Sequence, residues 1–221
     1  MLPLLFLIAT VQTMDQFGTF PLTYGSLIRL TNPPSNLMYA CPSPSLHSHD
    51  VFFGRGGVLS VTGYPFDDLG SFWQVHQPYK IKKHAYRDVV RCGDTIALSS
   101  AIVGYFLRLE ETQFGLTTEL LPMVHGMPAD RVDDKINWQI QCTTKGEGEQ
   151  LHYQDTLRLV HSATGKLVSL DQGYAYTEAN CGRGCSIAGQ IELHGIDAHD
   201  DTTTVFQVKT GLTFDQGSIE Q

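Results

Sequence analysis

The stretch that decides the fold runs from Leu46 to Trp73 and reads LHSHDVFFGRGGVLSVTGYPFDDLGSFW. It combines a His-Ser-His-Asp run, a glycine-rich turn, a short apolar segment that ends at Gly63, an acidic pair and an aromatic residue. Glycine lets the backbone turn where a side chain would clash, aspartates suit a solvated turn, and a large aromatic side chain suits the start of a buried strand. The stretch therefore predicts short strands joined by tight turns.

The second half of this stretch recurs twice further along the chain. Each copy has an apolar residue, one polar residue and a glycine, then two adjacent aspartates, and then an aromatic residue followed by Gln-Val or Gln-Ile. The three copies are Val61-Thr-Gly63, Asp67-Asp68 and Trp73; Val124-His-Gly126, Asp133-Asp134 and Trp138; and Leu193-His-Gly195, Asp200-Asp201 and Phe206. We expect the three aromatic residues to be core positions, with sugar-stacking platforms as the alternative. The Gln-x-Trp pattern of ricin-type lectins is absent.

A strand with alternating apolar residues also precedes each of the three copies. Its apolar positions are Ile28/Leu30, Ile96/Leu98 and Leu157/Leu159, and such alternation indicates a strand with one buried face. Three units that are each too small to bury their own apolar face would share one core around a pseudo-threefold axis. We therefore predict an all-β fold, a β-trefoil, with a sandwich as the alternative. The repeats span about 22–78, 89–142 and 151–209 of a single domain, 15–210, and a polar tail follows at 211–221.

The composition narrows the class of protein. The chain has 221 residues, 42% of them hydrophobic, which is enough for a substantial core. A formal net charge of −8 argues against a nucleic-acid surface. The only basic run, Lys80 to Arg87, is interpreted as a solvated face or linker.

The first residues form an apolar run that is too short to span a bilayer. It predicts a secretory signal peptide over residues 1–14, with an apolar N-terminal strand as the alternative. Five cysteines fit the oxidising compartment that secretion implies, and the odd number leaves at least one thiol, which we expect at Cys41, outside an intramolecular disulfide. No later stretch is long and apolar enough to be a membrane helix.

Several motifs resemble one known family. LHSHD at 46–50, LSVTG at 59–63 and FWQV at 72–75 are similar to the first MIR repeat of stromal-cell-derived-factor-2-like proteins. SIAGQIELHG at 186–195 is similar to their third repeat, and Arg91-Cys-Gly93 to the start of their second. The resemblance covers roughly residues 22 to 209. The second repeat departs from it, because it reads Leu107-Arg-Leu-Glu-Glu111 where a second His-Ser-His run would stand.

The resemblance implies a function as well as a fold. Members of this family are β-trefoils of three MIR repeats in the endoplasmic reticulum lumen, and they act in quality control with a J-domain co-chaperone and its DnaK-type chaperone. We therefore expect a non-enzymatic, monomeric adaptor, lumenal or secreted, that contacts those proteins or unfolded clients. The expectation includes no cofactor, no nucleic acid and no membrane span. The chain ends without a KDEL-like retrieval signal. A trefoil that recognises O-mannosyl or related glycans is the alternative.

Residues His47, Ser48, His49 and Asp50 are the candidate ligand-binding residues. In a strand, residues i and i+2 share a face, so the two imidazoles could meet at one ligand or metal ion. A Ser-His-Asp catalytic triad cannot form between neighbours on one strand. We favour a structural role, with the imidazoles bonded to turn backbone, over ligand contact, and we expect no metal site.

The remaining cysteines are candidates for disulfides. Cys92 and Cys142 lie at the two ends of the second repeat, where a trefoil would place them side by side, and the family resemblance supports this pair. Cys181 and Cys185 flank a short glycine turn and predict a small disulfide or two free thiols. A zinc site with His194 and His199 is the weaker alternative, since its cysteine-to-histidine spacing is short.

Overall fold

The computed structural model describes residues 20–33, 43–53, 58–66, 68–81, 84–118 and 120–209. The expected signal peptide, Cys41, Asp67 and the polar tail lie outside them. Within this part of the chain twelve strands form one antiparallel sheet, and the single α-helix, α1, covers only Glu178–Cys181. The strands are β1 Leu27–Thr31, β2 Ser45–Phe53, β3 Val58–Tyr64, β4 Trp73–His76, β5 Thr95–Ser100, β6 Phe106–Phe114, β7 Pro122–Met127, β8 Trp138–Cys142, β9 Thr156–His161, β10 Leu167–Ala175, β11 Ile191–Ile196 and β12 Phe206–Lys209.

Six of the described strands close into a ring. β1 pairs with β4, β4 with β5, β5 with β8, β8 with β9, β9 with β12, and β12 returns to β1. Each predicted repeat contributes its first and last strand, and closure leaves no free edge in the ring. The alternating apolar residues of the sequence point inward, and all six are buried.

The other six strands form three hairpins, β2–β3, β6–β7 and β10–β11. One strand of each hairpin contacts the other two, because β3 pairs with β7, β7 neighbours β11, and β11 pairs with β3. The hairpins therefore meet in a triangle at one end of the ring. An all-β fold is confirmed, and the ring with its triangle of hairpins is compatible with a β-trefoil.

The repeated aromatic residues are core residues, as the sequence predicts. Trp73, Trp138 and Phe206 are fully buried. The indole N–H of Trp73 donates to the carbonyl of Leu46 at 2.9 Å, and that of Trp138 donates to the carbonyl of Leu107 at 3.0 Å. Both bonds tie the last strand of a repeat to its hairpin. Phe206 has no donor, so the third repeat makes this connection through packing alone.

The repeated glycines serve packing between hairpins, which corrects our interpretation that they allow a turn. Gly63, Gly126 and Gly195 lie inside strands. A Cβ on Gly63 would come within 2.8 Å of Leu170, and one on Gly195 within 2.1 Å of Leu109. A Cβ on Gly126 would lie 3.0 Å from Leu59. Each glycine thus makes room for a leucine of a neighbouring hairpin, and the triangle can close.

One aspartate of each acidic pair fixes a turn. Asp68 and Asp133 accept hydrogen bonds from the backbone N–H groups of Gly70 and Lys135, at the starts of the 3₁₀ turns Leu69–Ser71 and Asp134–Ile136. Asp200 accepts from the N–H of Thr202 at 2.9 Å. Each carboxylate therefore fixes the turn that leads into the last strand of its repeat.

Two disulfides are present among the described residues. Cys92 is joined to Cys142, with Cα atoms 5.5 Å apart, and Cys181 to Cys185, with Cα atoms 5.6 Å apart. Both pairs agree with the sequence prediction. The second pair leaves no thiolate for the zinc alternative.

Candidate functional site

The two histidines of the first repeat lie on one face of β2 and contact each other. Nδ1 of His47 is 2.9 Å from Nε2 of His49, and Nε2 of His47 is 2.7 Å from Oδ1 of Asp68. A carboxylate can only accept, so His47 donates to Asp68 through Nε2–H, and its Nδ1 is the acceptor in the neutral imidazole. His47 thereby links β2 to the turn that Asp68 fixes.

His49 connects the first repeat to the third. Its Nε2 lies 2.5 Å from Oε1 of Gln190 and 3.2 Å from Oγ1 of Thr62, and Thr62 donates to the same amide oxygen at 2.5 Å. The expectation that the imidazoles bond to turn backbone is therefore wrong in its partners: the structure gives them side chains instead. The sequence had no signal for Gln190, which lies in a different repeat.

Burial limits which residues of the His-Ser-His-Asp run a ligand could contact. His47 is 2% exposed and Ser48 is 4% exposed. Ser48 points to the other face, where its Oγ lies 2.5 Å from Oγ of Ser100 and donates to the carbonyl of Gly70 at 3.3 Å. A ligand at this run could approach only the part-exposed His49 and the exposed Asp50. Ligand binding by these four residues stays a prediction.

The second repeat has ion pairs where the first has histidines. In the strand register Arg108 is opposite His125, as His47 is opposite Thr62. Arg108 contacts Asp133 at 2.7 Å and Glu110 at 2.9 Å, and Lys135 contacts Glu110 at 2.6 Å. The hydrogen bond from Lys135 holds the pKa of Glu110 low, at about 2. The hairpin is thus tied to its aspartate turn by charge rather than by imidazoles.

A buried carboxylate lies where the hairpins meet. Glu192 on β11 is 0% exposed. It accepts from the backbone N–H groups of Leu116 at 2.8 Å and Thr117 at 2.7 Å, and from the hydroxyl of Tyr176 at 2.8 Å. Burial by itself raises the pKa of Glu192, but the hydrogen bonds from His194, Thr117 and the two backbone amides outweigh it and hold the pKa at about 2. Glu192 was not among the residues predicted from the sequence, although an acidic side chain within the apolar run Gln-Ile-Glu-Leu-His-Gly was a signal.

The glycine beside this carboxylate lets the second hairpin approach it. A Cβ on Gly115 would lie 2.6 Å from Oε2 of Glu192 and 2.7 Å from Nε2 of His194. Glu192 therefore fixes the tip of the β6–β7 hairpin from the third repeat. We refer to residues 114–122 as the hairpin tip below.

The environment of His47 and His49 predicts that the protein loses stability in acid. Burial is the main cause that lowers the pKa values of His47 and His49 below the ordinary value of 6.5. The folded state then binds fewer protons than the unfolded state, so stability is complete above pH 6.5 and is lost as the pH falls through the lowered values. We expect urea unfolding to show a falling free energy below about pH 6.5, with a slope that His49→Gln reduces by up to about one proton.

The exposed His199 provides the matched control for that measurement, because His199→Gln removes an imidazole without touching the network. An unchanged pH slope in His49→Gln would contradict a His49 that the network holds in its neutral form.

A groove of about 610 Å³, which neither His47 nor His49 lines, lies between the end of β4 and the connector that leads to the second repeat. Its lining includes the rings of Tyr79, Tyr86 and Phe106. A second groove of about 340 Å³ passes the Cys92–Cys142 disulfide. Among the described residues, no three His, Cys, Asp or Glu side chains are placed to hold a metal ion. No helix in the described ranges is long and apolar enough to cross a bilayer.

Comparison with known proteins finds its matches among solved structures. No protein-family model matches the chain, and no curated protein matches it. A Caenorhabditis elegans protein of unknown function is 26% identical, with 90% of this chain and 99% of that chain covered and a TM-score of 0.67. The SDF2-like protein of Arabidopsis thaliana is 24% identical, with 86% and 94% covered and a TM-score of 0.64.

A third match is the S. cerevisiae protein O-mannosyltransferase complex bound to its sugar donor. It is 16% identical to this chain, covers 86% of it, and has a TM-score of 0.63. The match covers 25% of that much longer chain. This chain therefore has the same fold as an SDF2-like protein and as one region of a protein O-mannosyltransferase.

Proposed function

We propose that the chain is a β-trefoil of three MIR repeats that acts as a non-enzymatic adaptor in protein folding and quality control in the endoplasmic reticulum lumen. Its partners in this proposal are a J-domain co-chaperone with its DnaK-type chaperone, or unfolded clients. The observation that carries the proposal is the first-repeat motif LHSHD, LSVTG and FWQV, found in a chain that shares its fold with an SDF2-like protein over 86% of its length.

The chemistry of the buried polar groups supports a binding role. His47 and His49 bond to Asp68 and Gln190, and the carboxylate of Glu192 bonds to amides and hydroxyls. These are partners that hold elements together, and their rigid arrangement suits a scaffold that presents a surface.

The hairpin tip offers a surface of the right kind for protein contact. Phe114, Leu116 and Leu120 are 49%, 42% and 85% exposed. Phe114 pairs with Pro122, and the N–H of Gly115 donates to the carbonyl of Leu121 at 3.3 Å, so the three side chains share one short hairpin end. Exposed apolar side chains on a rigid support are typical of protein interaction sites, because little conformational entropy is lost on binding.

The two disulfides support the proposed location in the endoplasmic reticulum lumen. Two disulfides fit a lumenal or secreted protein, because thiols are kept reduced in the cytosol.

Affinity capture from the native cells tests the proposal. We expect the tagged chain to recover a DnaK-type chaperone and a J-domain protein, identified by mass spectrometry, and Leu120→Asp to reduce that recovery at least about tenfold, because a charge at a contact centre is costly. Ile102→Asp is the matched control, since Ile102 is 57% exposed and lies on a different loop. Recovery of neither protein by the unmodified chain would refute the adaptor role.

A further inference from the structure

The Cys181–Cys185 disulfide lies in the loop that joins β10 to β11 in the third repeat. Helix α1 contributes Cys181 as its last residue, and the turn Gly182-Arg-Gly184 leads to Cys185. These two cysteines are separated by 4 residues, whereas Cys92 and Cys142 are separated by 50. A short loop restricts the unfolded chain less than a long one, so the fold depends less on this bond. We therefore expect the shorter disulfide to open without unfolding the domain.

The space around this disulfide is open. Both of its cysteines are partly exposed, and the three residues between them are exposed. Cβ atoms added at Gly182 and Gly184 would meet no atom within 4 Å apart from their chain neighbours. By contrast, Cys92 is 3% exposed, and Cys142 packs against the hydrophobic core. Thiol–disulfide exchange needs a thiolate to reach a sulfur atom directly, so the shorter disulfide is the more accessible of the two to an attacking thiol.

Backbone hydrogen bonds hold the two cysteines of the short loop close together. The N–H of Gly182 donates to the carbonyl of Glu178 at 3.1 Å, and the N–H of Cys185 donates to the carbonyl of Gly182 at 3.2 Å. At the start of α1, Thr177 and Asn180 form a capping box. The Cα atoms of the two cysteines are 5.6 Å apart. Because these bonds do not involve sulfur, the two thiols of the reduced form would remain neighbours, and the disulfide could form again with little ordering of the chain.

The loop that carries this disulfide is connected to the hairpin tip. Tyr176 directly precedes Thr177, the N-cap of α1, and donates its hydroxyl to Glu192 at 2.8 Å. The same carboxylate accepts from the backbone N–H groups of Leu116 and Thr117 in the hairpin tip. One buried side chain thus contacts both the apolar hairpin tip and the start of the disulfide loop. A protein segment that contacts the hairpin tip would therefore lie beside this loop.

We propose that Cys181–Cys185 is an exchangeable disulfide that accepts electrons from pairs of cysteine thiols in unfolded protein segments. A thiolate of the segment attacks one sulfur of the bond and forms a mixed disulfide, and the other sulfur leaves as a thiolate. The second thiolate of the segment then attacks the segment's own sulfur in the mixed disulfide and releases the chain. Two electrons and two protons pass to Cys181 and Cys185, so one disulfide forms in the segment for each one that is consumed.

The exchange step oxidises one pair of thiols per chain. A second disulfide compound, such as glutathione disulfide, is needed to restore the bond, and it is reduced to two thiols in doing so. The exchange is a property in addition to adaptor binding. Only the delivery of a segment rests on the proposed function, because delivery uses the hairpin tip.

The first measurement compares the two disulfides within one chain. The purified full chain is equilibrated with increasing ratios of reduced to oxidised dithiothreitol, free thiols are alkylated, and the cysteine peptides are quantified by mass spectrometry. We expect Cys181–Cys185 to be reduced at a ratio at least about tenfold lower than Cys92–Cys142, while thermal unfolding shows that the domain remains folded. Equal reduction of the two disulfides, or reduction of the shorter one only when the domain unfolds, would overturn the proposal.

The second measurement follows the transfer of the disulfide. A synthetic unstructured peptide with two cysteines is mixed with the oxidised full chain, which carries Cys41→Ala so that this cysteine cannot exchange. We expect about one peptide disulfide to form per chain. With glutathione disulfide present, the chain should oxidise the peptide at least about tenfold faster than the matched control Cys181→Ala/Cys185→Ala, which keeps the longer disulfide.

Thermal unfolding of the control variant shows whether it has kept its fold. No oxidation of the peptide by the chain, or equal oxidation by the folded control, would overturn the exchange proposal. The adaptor role is judged separately by chaperone capture. Failed capture with intact exchange would refute the adaptor role alone, and intact capture with failed exchange would refute the exchange site alone.

Discussion

Replacing Glu192 with alanine is expected to lower the free energy of unfolding by about 3–5 kcal/mol, the range for removing one partner from a buried charged network. The carboxylate is fully buried, and its loss leaves the N–H groups of Leu116 and Thr117 without their acceptor. Each unsatisfied buried donor costs about 1–3 kcal/mol. Urea unfolding, with the slope checked for two-state behaviour, measures the change.

Glu111→Ala is the matched control, since Glu111 is exposed and a change there should lie within about 0.5 kcal/mol. Glu192→Gln removes the charge of this side chain while nearly keeping its shape, and therefore measures the contribution of the charge. The pKa of Glu192 is held at about 2, below its ordinary value of 4.5, so its contribution is present above pH 4.5 and is lost as the pH falls toward 2. Glu192→Gln should remove that part of the acid profile. A Glu192→Ala protein as stable as the Glu111→Ala control would contradict the role of this carboxylate.

Removing the Cys92–Cys142 disulfide is expected to cost about 4 kcal/mol, because in the chain-entropy model the stabilisation grows with the length of the closed loop. This pair is separated by 50 residues, and Cys181–Cys185 by 4. The model gives about 2 kcal/mol for the shorter loop. Urea unfolding of Cys92→Ala/Cys142→Ala and Cys181→Ala/Cys185→Ala under non-oxidising conditions compares the two.

The shorter disulfide is a control within the same chain, because each double variant removes two sulfurs and leaves Cys41 in place. Equal destabilisation by the two double variants would show that the long disulfide does not stabilise by restricting the unfolded second repeat. A folded Cys92→Ala/Cys142→Ala variant is also of use in the capture experiment, since the hairpin tip belongs to that repeat.

Much of the fold could be predicted from the sequence, because it depends on local patterns that recur. The alternation at Ile28/Leu30 and its two counterparts marked the inner face of the ring, and the positions of Trp73, Trp138 and Phe206 marked the core. Cys92 and Cys142 were paired because they lie at the two ends of one repeat, whereas Cys181 and Cys185 flank a short turn. Patterns of this kind act through one strand or one turn, so a single sequence carries them.

What the sequence did not predict are contacts between repeats. The glycines at 63, 126 and 195 were interpreted as turning residues, but each makes room for a leucine that is distant in the chain. Gln190 completes the histidine network from the third repeat, and Glu192 fixes a loop of the second. No local period connects these residues, because only the packing of the three hairpins brings them together.

The groove was missed for a related reason. Residues 80–87 were interpreted as a basic, solvated face or linker, and most of the described residues in this run are exposed. The aromatic lining of the groove depends on Gly25, which lies in the lead to β1 and makes room for Tyr86. The His-Ser-His-Asp run, in contrast, suggested a ligand or metal site in the sequence, but its first two residues, His47 and Ser48, are buried in the structure.

Direct binding between purified proteins tests the central claim most closely. The claim is that this fold presents a rigid apolar hairpin tip to a lumenal chaperone complex. Calorimetry with a purified J-domain co-chaperone, alone and with its DnaK-type chaperone, should give a saturable complex that Leu120→Asp weakens at least about tenfold. Lys80→Asn, in the separate groove, should bind as the unmodified chain does. Absence of a complex with either protein, or equal binding by folded Leu120→Asp, would contradict the account.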